Sequence, residues 1–234
     1  RRRAFLIKAS GCAVVAAGAG LTGLGLFRAL ELPRVVRVNI PVSKHLSGLK
    51  GLQILQFTDL HVGPTIRYNY IQSVCDIIHQ VRADIIVLTG DLVDGSPEAL
   101  ADDVAPLKDL QAPLGKYFVT GNHEYYSGVM RWIAQMKILG FDVLMNEHRV
   151  IPYNNALLTL AGVTDIKAGR FDQGHRSDPG KAINGSPENS FKLLCAHHPA
   201  SIYQAAPAGF DLQISGHTHG GQYFPFNYFV LLEH

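Results

Sequence analysis

The sequence predicts an α/β fold in which short strands alternate with helices, and three observations support this expectation. The 234-residue chain is 47% hydrophobic and 17% charged, a composition typical of a globular protein with a full core. Short runs rich in β-branched, aliphatic or aromatic residues recur between residues 51 and 214, and each is too short for a buried helix. Segments with helical spacing separate several of these runs, which favours a sheet with parallel central strands.

The first thirty residues predict a signal or a membrane anchor. Arg1–Arg3 and Lys8 form a basic start, and the nineteen residues 9–27 carry no charge and could just cross a bilayer. The paired arginines resemble a twin-arginine export signal, with an ordinary signal anchor as the alternative. We therefore expect residues 1–30 to contact the membrane and the twin-arginine export machinery, and the domain that follows to lie outside the cytoplasm.

The next segment, residues 31–50, is expected to be a connector that leads into a first strand, because the alternating stretch 35–40 lies between Pro33 and Pro41. Eight runs beyond it are predicted as strands: Leu52–Phe57, Ile85–Leu88, Tyr117–Val119, Phe141–Met145, Val150–Pro152, Leu157–Gly162, Phe191–Ala196 and Leu212–Ile214. Three helices are predicted: Asn69–Val81, Pro97–Leu110 and a helix that Ser127 caps and Gly140 ends.

Three of the predicted strands follow one another between residues 141 and 162 without helices, which indicates a second, mixed sheet packed on the first. The segment Thr164–Ser190 is polar, rich in glycine and too long for an ordinary connection. We expect it to be either a functional lid or a disordered loop.

Charge and cysteine content exclude two classes of protein. Residues 1–50 contain nine Lys and Arg against one acid, so the remaining body is acidic although the whole chain has a net charge of +2. An acidic body lacks the basic face that nucleic-acid binding needs, and no nucleic-acid partner is predicted. Three cysteines cannot form a disulfide scaffold, and Cys75 and Cys195 are expected to be reduced core residues.

Ligand-type residues follow five of the predicted strands. The sequences are Asp59-Leu60-His61, Gly90-Asp91, Gly121-Asn122-His123-Glu124, His197-His198 and the stretch GHTHGGQ at residues 216–222. Because ligands bind at the carboxyl ends of strands in open α/β sheets, these residues are expected to converge. Their carboxylates, amide and imidazoles, without a thiolate set, suit Mn²⁺, Fe²⁺ or Zn²⁺. The glycines before them are expected to permit tight turns that direct the next side chain inward.

This ordered set resembles the calcineurin-like metallophosphoesterase superfamily over roughly residues 50–222, and the N-terminal signal adds a resemblance to its exported phosphodiesterase branch. The resemblance implies a four-layer αββα sandwich of two mixed sheets, with a site for two divalent metal ions at the strand ends. The metal ligands that it implies are Asp59, His61 and His219 for the first ion, Asn122, His197 and His217 for the second, and Asp91 bridging both.

The resemblance also implies roles for residues around the metals. His123 is expected to be the general acid, and Glu124 and Asp94 to orient ligands or backbone. His198 is the alternative to its neighbour His197 as a ligand. Residues 51–234 are expected to form the metallophosphoesterase domain, with a truncated C-terminus.

The activity implied is hydrolysis of phosphoesters by a hydroxide activated at the two metals. The expected substrates are phosphodiesters or pyrophosphate-linked lipids and cell-envelope polymers. One alternative is a lipid A enzyme similar to the UDP-diacylglucosamine pyrophosphatases, which would work on the cytoplasmic side. Another is a metal-binding or wall-binding protein without useful turnover.

Overall fold

The computed structural model describes residues 2–221. Gln222, the last residue of the GHTHGGQ stretch, and the predicted C-terminal truncation lie outside the described residues. The chain divides into two compact units, Arg1–Val36 and Arg37–His234. The first contains helix α1 (Arg2–Ala29). By length and composition, Arg2–Arg28 could cross a membrane, a property that signal sequences share.

The second unit contains two four-stranded sheets. The first sheet is formed by β1 (Ile54–Phe57), β2 (Ile85–Leu88), β3 (Lys116–Phe118) and β4 (Asp142–Val143), paired in that order and all parallel. The second is formed by β5 (Glu147–Tyr153), β6 (Ala156–Gly162), β7 (Phe191–Cys195) and β8 (Leu212–Ile214), with β5 antiparallel to β6 and the other pairs parallel.

Six helices lie along this unit in the described residues. They are α2 (Tyr68–Val81), α3 (Pro97–Val104), α4 (Asn122–Tyr126), α5 (Val129–Ile138), α6 (Pro179–Ile183) and α7 (Ile202–Ala208). Of the two sheets, only the second is mixed. The described strands of the first are parallel because a crossover with a helix joins each to the next, whereas a tight hairpin would have made an antiparallel pair.

The strands of the two sheets show how the layers stack. In β2, Ile86 and Leu88 pack with helices α2, α3 and α5, while Ile85 and Val87 pack against the second sheet. In β7, Leu193 and Cys195 face the first sheet, and Leu194 packs with residues of α6 and α7. Because side chains alternate along a strand, each sheet has one face on the central core and one face on helices. The expected four-layer αββα sandwich is confirmed.

Several boundaries differ from the predictions. The predicted helix at Pro97–Leu110 ends as an α-helix at Val104 and continues as a 3-10 helix, Ala105–Asp109. Pro106 explains the change, since proline lacks the N–H that continues an α-helix. Ser127 does not cap the following helix. It ends α4, whereas Gly128 with φ of 96° precedes α5.

The connector also differs. The alternating residues 35–40 carry no helix or strand and are exposed, so the connector contains no strand there. Instead, the 3-10 helix Lys44–Leu49 places Leu46 and Leu49 in the core between the sheets.

The segment 164–190 is folded, so the disordered-loop alternative is wrong. It forms two 3-10 turns and α6. Thr164 Oγ1 donates to the carbonyl oxygen of His175 at 2.7 Å, and Asn146 Nδ2 donates to that of Arg176 at 2.9 Å. The Phe171 ring lies 5.5 Å from the Tyr125 ring of α4, measured between centroids. The segment is therefore fixed against the helix that carries His123.

Candidate functional site

All the predicted ligand residues lie at the carboxyl ends of strands. Asp59 and His61 follow β1, and Asp91 follows β2. Asn122 and His123 begin α4 beyond β3, His197 follows β7, and His217 and His219 follow β8. Because the two sheets pack face to face, the ends of β1, β2, β7 and β8 meet at one edge of the sandwich.

In the part of the chain that the structure describes, three groups of ligand-type residues have donor atoms within 4.8 Å of one another. They are Asp59 with His61 and His219, Asp91 with His197 and His217, and His61 with Asp91 and His123. The first group has the residues predicted for the first metal apart from the bridging Asp91, and the second has those predicted for the second metal apart from Asn122. The third group places His123 close enough to Asp91 to bind a metal ion, which is an alternative to its expected role as general acid.

The ring of His197 is held by a backbone carbonyl. Its Nδ1 lies 2.8 Å from the carbonyl oxygen of Thr89, which can only accept, so Nδ1 carries the hydrogen. Its Nε2 lies 3.0 Å from Oδ2 of Asp91 and 3.1 Å from Nδ1 of His217. A neutral ring would direct a lone pair at a carboxylate, so this contact requires a proton or a metal ion at Nε2.

The pKa values follow from burial and from these contacts. Burial alone would lower the pKa of His197, but the hydrogen bond and charge of Asp91 outweigh it and raise this pKa to about 9. The same contact lowers the pKa of Asp91 despite its burial. Burial, together with the charges of His197 and His198, lowers the pKa of His217 to about 4. His217 is thus a neutral imidazole at pH 7, the form that binds metal.

Asp94 orients two further histidines. Its Oδ1 lies 3.0 Å from Nδ1 of His61 and 2.6 Å from Nδ1 of His123. With Nδ1 donating to Asp94, Nε2 of His61 is an acceptor that faces Nε2 of His219 at 3.1 Å. Asp94 therefore contacts two of the predicted site residues, as the expected orienting role requires.

Two further predicted residues, Asn122 and His198, lie next to these groups. Asn122 is buried, and its Oδ1 has no hydrogen-bond partner among the described residues. A buried amide oxygen without a partner costs free energy, and a metal ion would satisfy it. His198 instead accepts a hydrogen bond from the backbone N–H of Ala200 at 3.1 Å, which favours His197 as the inward-facing residue of the pair.

Glu124 is almost completely buried and holds the backbone of two strand ends. Its carboxylate accepts from the N–H groups of Gly121, Asp91 and Leu92 at 2.7, 3.0 and 2.8 Å. Burial and the nearby charge of Asp91 raise its pKa to about 7. Glu124 thus positions the residues around Asp91, as expected for an orienting role.

The backbone at the site is in an unusual conformation. Among the described residues, eight other than glycine have positive φ, and five of them are predicted ligands: Asp59, His61, Asp91, His217 and His219, with φ between 48° and 71°. Each such residue costs on the order of 1–3 kcal/mol and persists only where the surrounding structure imposes it. This concentration of strain is an observation independent of the motifs.

The glycines act in two ways. Gly90 has φ of 87°, which confirms the expected tight turn before Asp91. Gly121 and Gly216 have no positive φ and matter for another reason. A Cβ on Gly121 would collide with the carboxylate of Asp91, and one on Gly216 with that of Asp59. These two glycines let the backbone approach the carboxylates.

Sequence reasoning missed two features near the site. Asp165 is buried, its Oδ2 has no hydrogen-bond partner among the described residues, and burial raises its pKa. Tyr125 Oη lies 3.2 Å from Nδ1 of His175, which joins α4 to the segment 164–190. Neither belongs to a motif, so only their place in the fold reveals them.

Comparison with known proteins gives consistent matches. Residues 52–221 match the family model described as Calcineurin-like phosphoesterase. The Bos taurus "Transmembrane protein with metallophosphoesterase domain" is 37% identical over 217 residues, which cover 88% of this chain and 49% of that protein. An Aquifex aeolicus "Uncharacterized metallophosphoesterase" is 34% identical over 210 residues, covering 89% and 78% respectively.

A third relative is the "Uncharacterized metallophosphoesterase YkuE" of Bacillus subtilis. It is 28% identical over 228 residues, which cover 94% of this chain and 77% of the relative. The chain spans about half the length of the Danio rerio and Bos taurus relatives that it matches.

Proposed function

Because the chain belongs to the calcineurin-like phosphoesterase family, we propose that it hydrolyses phosphoesters with two divalent metal ions bound at the strand ends. The observation that carries this proposal is the convergence of ring nitrogens and carboxylate oxygens around Asp91. His197 Nε2 lies 3.0 Å from one oxygen of this carboxylate, and the backbone N–H of His123 donates to the other at 2.9 Å.

The residues present fit the metals. Asp59, His61 and His219 would hold one ion, Asn122, His197 and His217 the other, and Asp91 both. The mixture of carboxylate, amide oxygen and imidazole suits Mn²⁺, Zn²⁺ or Fe²⁺. Two such ions, when bound, lower the pKa of a bound water and neutralise phosphoryl charge.

His123 is the proposed general acid. Asp94 holds its Nδ1, which leaves Nε2, at 3.9 Å from Oδ2 of Asp91, available to a substrate, and the His123 side chain is about one third exposed. A proton on Nε2 can pass to the leaving oxygen of the ester, which makes that oxygen a better leaving group. Asp94 in turn stabilises the charged ring and keeps it in the productive orientation.

The proposed substrates are phosphodiesters or pyrophosphate-linked lipids and envelope polymers. Helix α1 supports this class, because an anchor of this kind would hold the catalytic domain beside lipid. The arginines at its start support export by the twin-arginine route, with the catalytic domain outside the cytoplasm. The Bos taurus relative, which carries "Transmembrane" in its name, supports membrane anchoring.

The test is a panel of phosphomonoesters, phosphodiesters and pyrophosphate esters, offered to protein stripped of metal and then loaded with Mn²⁺, Zn²⁺ or Fe²⁺. We expect metal-dependent hydrolysis, fastest on the diesters or pyrophosphate esters, and loss of activity in Asp91→Asn. Tight binding of two metals without turnover of any ester would contradict hydrolysis and leave a metal-binding protein.

A further inference from the structure

An open cleft of about 590 Å³ adjoins the site on the side of His123. Its walls are residues 94–96, beyond the end of β2, together with His123, residues 125–128 and Arg131, from the stretch that runs from α4 into α5. Its volume lies within the range of roughly 300–1,000 Å³ that small-molecule sites occupy. Because His123 and Asp94 both line the cleft, it opens onto the proposed general acid.

Tyr126 lines this cleft, and Phe171 contacts Tyr126 from outside the lining residues. The ring of Tyr126 lies 5.4 Å from that of His123 and 5.7 Å from that of Phe171, measured between centroids. Tyr126 is 60% exposed and Phe171 is 52% exposed. Aromatic rings of this size gain much from contact with an apolar group. The pair therefore offers an apolar surface to a group bound next to His123.

Arg131 brings a charge to the same cleft. Among the described lining residues it alone has a permanent positive charge. Its Nη1 lies 2.9 Å from Oε1 of Glu98, but both side chains are more than half exposed, so the pair is weak and can exchange. The guanidinium lies over Gly128, where an added Cβ would come within 2.8 Å of Nη2.

We propose that this cleft binds the leaving alcohol of the substrate, and that this alcohol combines an apolar or aromatic body with an anionic group. The inference rests on the proposed function. In an in-line displacement the leaving oxygen departs opposite the attacking water. Since His123 protonates the leaving oxygen, the alcohol must extend past His123, which is where the cleft lies. Tyr126 then contacts its body, and Arg131 pairs with its carboxylate or phosphate.

Two synthetic diesters isolate the charge. Methyl phenyl phosphate and methyl 3-carboxyphenyl phosphate release phenols of nearly the same acidity, and only the second leaving group is anionic. On Mn²⁺-loaded protein, Arg131→Gln should lower kcat/KM for the carboxyphenyl ester about tenfold, the size of one charge-assisted hydrogen bond. The phenyl ester should change less than about twofold.

Three further variants sharpen the test. Arg131→Lys should retain most of the preference for the anionic ester. Glu98→Gln should raise that preference about twofold, because it removes the carboxylate that competes for Arg131. Tyr126→Ala should lower kcat/KM for both esters about fivefold. Lys137→Gln is the matched control, because it removes a positive charge from an exposed part of α5, the helix that carries Arg131. It should leave kcat/KM for both esters unchanged.

Different results would contradict the proposed role of the cleft and the proposed hydrolytic activity. Turnover of both esters, with Arg131→Gln affecting neither or both equally, would overturn the cleft and leave the hydrolase intact. If the wild type hydrolyses neither ester, the proposed activity on phosphodiesters fails. Calorimetric titration of the carboxyphenyl ester then decides the cleft, because weaker binding to Arg131→Gln supports it and equal dissociation constants overturn it.

Discussion

Nδ1 of His123 lies 2.6 Å from Oδ1 of Asp94. Since the same oxygen is 3.0 Å from Nδ1 of His61, one carboxylate fixes the orientation of the proposed acid and of a proposed ligand. The proposed metal binding and the proposed proton transfer therefore both depend on Asp94, which performs neither directly.

We expect Asp94→Ala to lower kcat and the affinity for the metal at His61, each by about 10- to 100-fold. Asp94→Asn, which keeps an oxygen acceptor, should lose less. Steady-state kinetics and metal titration measure both effects, and Asp102→Ala, at an exposed carboxylate, is the control. Wild-type metal affinity in Asp94→Ala would show that His61 needs no orienting carboxylate.

Asp91 is the proposed ligand of both ions. Asp91→Asn removes one negative charge from a site proposed to hold two divalent ions, so both ions should bind more weakly. His219→Ala should weaken chiefly the binding of one ion, because His219 is a proposed ligand of that ion alone. Elemental analysis of metal per chain after dialysis distinguishes the two results, and two metals retained in Asp91→Asn would contradict the bridging role.

The proposed acid is tested by the leaving group. A general acid contributes about 10²- to 10⁴-fold where the leaving alkoxide is basic, and a nitrophenolate needs little protonation. His123→Ala should therefore slow an alkyl diester far more than bis-nitrophenyl phosphate. The comparison is the mutant to wild-type ratio of kcat/KM on each ester.

Metal content gives the control for this variant, because His123 also lies within the ligand-type groups. Wild-type metal content with equal ratios on the two esters would indicate that His123 stabilises phosphoryl charge. Loss of a metal ion would instead make His123 a ligand.

Glu124 should matter for stability without any metal. Glu124→Leu leaves three buried N–H groups without acceptors, each worth about 1–3 kcal/mol, so the free energy of unfolding should fall by about 3 kcal/mol or more. Glu124→Gln retains one acceptor oxygen and should cost less. Urea unfolding of the metal-free protein measures this. The exposed Glu98→Gln should stay within about 0.5 kcal/mol of wild type.

The N-terminal arginines predict export from the cytoplasm by the twin-arginine route. In the full-length protein, replacing Arg2 and Arg3 with Lys keeps the charge but removes the pair that the twin-arginine machinery reads. We expect the variant to stay in the cytoplasm, as cell fractionation would show. Unchanged export would indicate the general secretory route.

The sequence predicted the buried parts of the fold best. The strand at Ile85–Leu88 has the predicted bounds because every residue in it is buried, so its composition reflects the core alone. The five-residue α4 was missed because it is too short to show a period. The stretch 35–40 alternates like a strand but lies exposed, without a partner strand among the described residues.

Motifs located the ligand-type residues because strand ends bring distant segments together in a predictable place. The cleft was not predictable in this way. Arg131 and Tyr126 lie five residues apart in sequence on two different helices, and only the turn at Gly128 brings both to one opening.

The left-handed backbone at the proposed ligands has a consequence for engineering. Glycine tolerates positive φ at no steric cost, so glycine at His61 or His219 would relieve strain in the protein without metal. A selection for thermal stability alone would thus favour changes at the positions that the chemistry needs. Random libraries of this chain should be screened for metal binding together with heat resistance, because otherwise the most robust variants will be inert.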